Sequence, residues 1–313
     1  MREALFVKQN NAKWESYEKI KTTHPDELAA RFIEITDDLA YAKTFYPKSK
    51  TTAYLNGLAA RLHQSLYINK KEKASRFLSF WKTELPIIFF QYRNQLAYSA
   101  VFFLLFTFIG AFSAANDETF VRLVLGDDYV NMTNTNIEKG DPFGVYKQSN
   151  PLLMFLMIAL NNIRVSCMAF LLGILCAVGT VVLLMYNGIM LGSFQYYFFT
   201  KGLGFESVLV IWIHGTLEIS AIVLAGAAGL ILGNSLLFPK TYSRLTSLKR
   251  GAKDGLKIIV GLIPIFIIAA LLESFVTRHT AMPFWLSSAI LIASFLFIVW
   301  YVVIYPRKLS KLI

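Results

Sequence analysis

The stretch IWIHGTLEISAIVLAGAAG, residues 211–229, decides the fold. It is apolar and long enough to cross the hydrocarbon core of a bilayer as a helix. Yet it holds His214 and Glu218, four residues apart and therefore neighbours on one helix face. An ionisable side chain at bilayer depth is costly and marks a function or a specific partner.

The rest of the 313-residue chain agrees with a membrane setting. Hydrophobic residues make up 55% of it, more than an ordinary soluble domain carries. Residues 1–3 open a polar segment with no apolar h-region, so no cleavable signal peptide is expected. The first long apolar run then acts as the insertion signal. The two cysteines, Cys167 and Cys176, are nine apart within apolar sequence. That spacing is neither a metal motif nor a disulfide framework, and they read as small buried hydrophobes.

The net charge of +11 is unevenly placed. Residues 1–94 hold 16 Lys and Arg against 10 Asp and Glu, and residues 236–257 hold 6 against 1. The intervening loop 116–150 reverses the balance, with 3 against 6, and the tail from Pro306 is again basic. Basic segments flanking apolar spans stay cytoplasmic and meet anionic headgroups, which accounts for the charge without nucleic acid.

Residues 1–72 read as a cytosolic helical bundle. A first helix surrounds Trp14, Tyr17 and Ile20. A second opens at Pro25-Asp26-Glu27, carries Leu28, Phe32, Ile35 and Leu39 at helical spacing, and ends near Tyr46-Pro47. A third, capped by Thr51 or Thr52, lines up Leu55, Leu58, Leu62 and Leu66. Residues 73–94 mix Arg76, Lys82 and Arg93 with Phe77, Phe80, Trp81 and Phe90, the composition of an amphipathic helix lying in the membrane interface.

The transmembrane domain takes residues 95–313. Spans are expected at 96–115, 165–186, 207–232, 256–275 and 284–305. Residues 151–164 are apolar for only ten positions before Asn161, Asn162 and Arg164, and read as a half-helix or an interfacial helix. An outside loop at 116–150, holding a helix at 119–125, and an inside loop at 236–257 need an odd number of crossings between them. The short piece 188–199 must therefore complete a crossing. The expected fold is all-α: a polytopic integral membrane bundle of about six crossings, one short or re-entrant, with an N-terminal cytosolic helical domain.

Asn161, Asn162, Arg164, Asn187, His214, Glu218 and Glu273 fall inside the expected bilayer. Their depths allow one cluster in which Arg164 neutralises a carboxylate. Four readings compete. The residues hold helices together, form an ion or proton path, bind a metal through His214, Glu218 and Glu273, or catalyse a reaction. The zinc-protease motif HExxH is absent, because HGTLE places Gly beside the His, and no Ser–His or Asp–Asp pair is evident. The helix-holding reading leads, and no cofactor is expected. On the same helix Ala221, Ala225, Gly229 and Gly233 recur every four residues, and Gly188 and Gly192 repeat the spacing. Such small-residue stripes let helices approach closely and are expected to form a helix-packing or dimer seam.

The ordered blocks NNIRVSCMAFLLGILCAVGT (161–180), YNGIMLG (186–192), HGTLEISAIVLAGAAGLILG (214–233) and AALLESF (269–275) resemble the stage II sporulation protein M family of integral membrane proteins. Asn162, Gly188, His214, Gly215, Glu218 and Glu273 stand at the motif positions. DDLAYAKTFYP (37–47) and YLNGLAARLHQSLY (54–67) resemble the longer members outside sporulation. The resemblance implies a polytopic membrane protein without enzymatic activity. The sporulation member is a scaffold that works with peptidoglycan-degrading partners, and longer relatives are often encoded near MoxR-type ATPases. The expectation is a non-enzymatic, homodimeric scaffold in the bacterial inner membrane, both termini cytoplasmic, serving cell-envelope remodelling. The alternative is a transporter or channel coupling ions through His214, Glu218 and Glu273, and an intramembrane metalloenzyme is third.

Overall fold

The computed structural model describes residues 1–19, 22, 25–67, 78–117, 119–147, 150–279 and 282–312. These are helices, turns and connections, with no strand among the described residues. They divide into two compact units, Met1–Arg76 and Phe77–Ile313.

The N-terminal unit contains α1 (Glu3–Lys19), α2 (Pro25–Phe45) and α3 (Lys50–Tyr67). Ile35, Leu39, Leu55, Leu58 and Leu62 are buried, as their helical spacing requires. Ile20, and the side chain of Leu66, lie outside the described residues. α1 docks through Phe6 and Trp14, and Trp14 Nε1 donates to Asp38 Oδ2 at 2.7 Å. The cap of α3 is Ser49 rather than a threonine: Thr52 N donates to Ser49 Oγ at 3.1 Å, while the Thr52 hydroxyl donates to the Tyr46 carbonyl. Leu55 is fully buried, so Leu55→Ala is expected to cost this unit about 2–5 kcal/mol. Limited proteolysis of the full chain should then cut residues 1–67 far faster than in the wild type; an unchanged rate would show that Leu55 is not a core residue.

The second unit holds the six helices long and apolar enough to cross a membrane among the described residues. They are α5 (Arg93–Asn116), α8 (Pro151–Leu171), α9 (Val178–Thr200), α10 (Gly204–Leu237), α11 (Arg244–Leu271) and α12 (Phe284–Val299). Shorter helices complete the order: α4 (Leu85–Gln91), α6 (Phe120–Leu125), α7 (Asp127–Glu138) and α13 (Tyr305–Leu309). α6 stands where the loop helix was expected, and α7 follows it. Helices α10 and α11 form the centre, with about half of their most apolar stretch buried in protein, against 17% for α5 and 11% for the α12–α13 span. The outward side chains of the peripheral helices, such as Phe108, Phe112 and Trp285, are exposed, as suits lipid contact.

Two expected boundaries are corrected. Residues 151–171 are one continuous helix, not a half-helix over 151–164, and Asn150 caps it by accepting from Leu152 N and Leu153 N. Gly188 does not break a helix but lies within α9. The turn falls at residues 172–177, where Cys176 and Ala177 both adopt positive φ (51° and 69°). Two such non-glycine residues in succession carry backbone strain that surrounding contacts must hold. Cys176 is consequently exposed in this turn rather than buried within a helix.

Those contacts come from the small-residue stripe. A Cβ on Gly173 would collide with the Gly229 carbonyl, and one on Gly233 would sit 2.6 Å from Ala177 Cβ. The α8–α9 turn thus nests directly on α10. Across the unit, a Cβ on Gly188 would lie 2.9 Å from the Phe103 carbonyl, and one on Gly192 would strike the Thr107 carbonyl, so α9 touches α5 backbone to backbone. Ala221 and Ala225 are fully buried in the same core. The residues expected as a helix-packing or dimer seam are therefore packed within one chain.

The interfacial stretch at 73–94 is described only from Leu78 onward; Arg76 and Phe77 lie outside the described residues. Its visible part packs on protein. Leu85 and Phe89 are 1% exposed, Glu84 pairs with Lys257 at 2.9 Å, and the Tyr301 and Tyr305 hydroxyls donate to the carbonyls of Trp81 and Lys82.

Candidate intramembrane polar site

Four elements bring the polar residues together. α10 supplies His214 and Glu218 on one face. α11 passes into a π-helical turn, Leu272–Val276, which carries Glu273 and delivers Thr277 just beyond it. α8 contributes Asn162, and the 3₁₀ turn Gly144–Lys147 contributes Tyr146. π-Helical turns recur at functional sites because they re-aim one side chain without ending the helix.

His214 is buried. Its Nδ1 lies 3.0 Å from Thr277 Oγ1, and its Nε2 lies 3.8 Å from Glu273 Oε1, beyond hydrogen-bond reach. One ligating atom from each of His214, Glu218 and Glu273 falls within 4.8 Å of the others. Asn162 is 4% exposed; its amide nitrogen sits beside Glu218 but completes no hydrogen bond. The Tyr146 ring stands edge-on to the imidazole with centroids 5.8 Å apart. Desolvation holds the Tyr146 phenol well above the usual tyrosine range, so it is a neutral hydroxyl here.

A cavity of 570 Å³ runs from the 117–147 segment down to His214, Gly215, Glu218 and Glu273. Gly215 is buried, yet a Cβ placed on it would meet nothing within 4 Å. Every other glycine in the spanning helices has a neighbour inside that distance. A second cleft, lined by Asn161, Asn162 and Arg164, reaches the same two glutamates.

Not every expected member joins the cluster. Arg164 is exposed and forms no ion pair among the described residues, so it does not neutralise either carboxylate. Asn161 is exposed at the rim of the second cleft. Asn187 is turned back on its own helix, donating to the Leu183 carbonyl at 2.9 Å. Conversely, Thr277 and Tyr146 belong to the site without having been expected. Thr277 follows Glu273 by four residues, a spacing that could have marked it; Tyr146 leaves no signal in the sequence.

Six apolar helices around a buried polar cluster define a polytopic, all-α membrane protein. The chain belongs to the stage II sporulation protein M family, whose sequence model matches residues 99–278, more than half of its length. That span contains Asn162, His214, Glu218, Glu273 and Thr277. Residues 4–68, almost the whole described N-terminal unit, match a separate family, Domain of unknown function (DUF8413). No curated protein and no solved structure matches the chain.

Proposed function

We propose that this protein is a non-enzymatic scaffold of the bacterial cytoplasmic membrane that assembles partners for cell-envelope remodelling. The observation that carries the reading is the continuity of α8 and α9. A transporter of the broken-helix kind binds its substrate where short or interrupted helices expose backbone at mid-membrane. Here 151–171 and 178–200 are each uninterrupted, and close backbone contacts tie α9 to α5 and the α8–α9 turn to α10. A frame locked this way suits holding partners in place better than rocking around a substrate.

The orientation follows from charge. Six crossings put residues 78–92, the 238–243 turn and residues 310–312 on one side, and residues 117, 119–147, 277–279, 282 and 283 on the other. Arg278 Nη2 donates to the Lys147 carbonyl at 3.0 Å, which joins 119–147 to 277–279. The first side is basic and the second acidic, which supports cytoplasmic termini. In this reading the N-terminal helical unit docks a cytoplasmic partner such as a MoxR-type ATPase. The 117–147 cap faces envelope enzymes that cut peptidoglycan. A homodimer belongs to the same reading but must use surface other than the 221–233 stripe.

The test has two parts. With Cys167 and Cys176 replaced by Ser, Glu138→Cys should react with a membrane-impermeant maleimide in spheroplasts while Lys308→Cys reacts only after lysis. In-cell crosslinking should then recover an envelope-remodelling partner with the full chain and not with a chain lacking residues 1–67, at equal membrane abundance. Steady ion or solute flux in proteoliposomes, with no partner recovered, would overturn the scaffold reading.

A further inference from the structure

Glu218 and Glu273 place two carboxylates within 4.8 Å of each other inside the helical bundle. No Lys or Arg pairs with either among the described residues. Burying an unpaired carboxylate is costly, and burying two side by side adds their repulsion. A single dication would neutralise both.

The histidine is set up for the same task. His214 Nδ1 lies 3.0 Å from Thr277 Oγ1, and in the tautomer whose Nδ1–H donates there the lone pair of Nε2 points toward Glu273 Oε1 at 3.8 Å. Two acceptors then face each other across a gap too long for a hydrogen bond and the right size for an ion between them. A ligating imidazole whose other nitrogen is fixed by a hydrogen-bond partner is the usual arrangement at metal centres. Asn162 adds an independent sign. It is almost wholly shielded from solvent, lines the cleft that reaches both glutamates, and leaves its amide nitrogen unpartnered. Turning that amide over, an assignment that hydrogen-bond partners normally decide, presents Oδ1 as a further oxygen donor.

We propose that His214, Glu218 and Glu273 bind one divalent first-row metal ion, with Asn162 as an additional oxygen ligand. Metal–ligand bonds of about 2.0–2.2 Å set donors roughly 3–4 Å apart. The three donor atoms, all within 4.8 Å of one another, reach that spacing with small side-chain movements. One imidazole with carboxylate and amide oxygens, and no thiolate, suits Zn²⁺, Mn²⁺ or Fe²⁺ and disfavours Cu⁺. The ion would tie α8, α10 and the π-helical turn after α11 together beneath the 117–147 cap. It is a structural clamp, and it stands or falls independently of partner docking, because metal content and partner capture are read separately.

The experiment uses the full-length, tag-free protein in nanodiscs. Elemental analysis for Zn, Mn and Fe should find about one equivalent per chain. After chelation, added Zn²⁺ or Mn²⁺ should raise the thermal midpoint. Glu218→Gln and Glu273→Gln should abolish both effects, whereas His63→Ala and His279→Ala should keep them. Thr277→Val, which removes only the group orienting His214, should weaken Zn²⁺ binding by about 10- to 100-fold. No stoichiometric metal together with no shift on adding Zn²⁺ or Mn²⁺ overturns the proposal, and so does full metal content in both Gln variants. If the Gln variants do not fold, a chain whose other three histidines are Ala decides it. Pulsed EPR of bound Mn²⁺ must then show coupling to one imidazole nitrogen, and its absence counts against the site.

Discussion

Gly229→Val is expected to lower the thermal midpoint and the yield of folded protein sharply. A Cβ at this position would collide with the Ala169 carbonyl and the Thr180 hydroxyl and lie 2.8 Å from Thr180 Cγ2. The colliding groups cannot swing aside. One is helix backbone, and the other is held by its own bond, Thr180 Oγ1 donating to the Ala169 carbonyl at 2.7 Å. Ordinary overpacking of a core costs about 1–3 kcal/mol, with some rearrangement of side chains to absorb it. Here the insertion must separate α8 and α10 and strip support from the strained turn at Cys176 and Ala177, so the loss should lie at or above the top of that range. Against a typical stability of about 5–15 kcal/mol this removes a large share of the total. Gly229→Ala sharpens the test through its sign. Alanine is the better helix former by about 1 kcal/mol, yet it should destabilise here because even one methyl has nowhere to go. Gly57→Ala is the control: its Cβ would meet only the far end of Arg61, at 3.9 Å, and the change should be neutral or stabilising. Monodisperse yield and thermal midpoint in detergent read all three. A Gly229→Val protein as stable as the wild type would mean that α10 does not lie against α8 as described.

The contrast between these glycines also explains which parts of the fold were legible. Apolar length gives five spans, the charge balance of the loops requires a sixth crossing, and heptad-like spacing gives the leucine face of α3. The misplaced boundaries share one cause. Asn161, Asn162 and Arg164 look like a helix end, since polar groups at that depth are costly; in the folded chain they line or border a cleft, so the helix runs through them. The real turn, within LLGILCAV, holds no proline and no glycine at its positive-φ positions. Nothing local marks it, because its support comes from Gly229 and Gly233, more than fifty residues away in the chain. A stripe of small residues announces a close approach without saying by what.

The site divides in the same way. His214, Glu218, Glu273 and Asn162 could be picked out because each is expensive in an apolar helix. Their depths allowed a single cluster, but its geometry was not legible, since it depends on how α8, α10 and the π-helical turn are set against one another. Arg164 shows the hazard of pairing opposite charges by depth alone: it borders the same cleft as the two carboxylates, yet its side chain is exposed and forms an ion pair with neither.

Gly215→Leu should give the opposite outcome to Gly229→Val: a well-folded protein that has lost its function. The buried backbone at Gly215 faces the cavity shared by His214 and Glu218, with nothing within 4 Å of the place a Cβ would occupy. Glycine inside a helix costs about 0.5–1 kcal/mol relative to alanine. A chain that carries that cost at a position with free space gains something from the space. Gly215→Ala should therefore raise the thermal midpoint slightly. Gly215→Leu should fill part of the cavity with apolar contacts, keep the midpoint of the metal-free protein at or above that of the metal-free wild type, and abolish both metal binding and genetic complementation of a deletion strain. Thermal unfolding and complementation, measured on the same two variants, separate the possibilities. A clear drop in midpoint for Gly215→Ala would show that the position is packed after all. Full complementation by a stable Gly215→Leu protein would make the cavity incidental to what this protein does, and would leave the work to its surfaces alone.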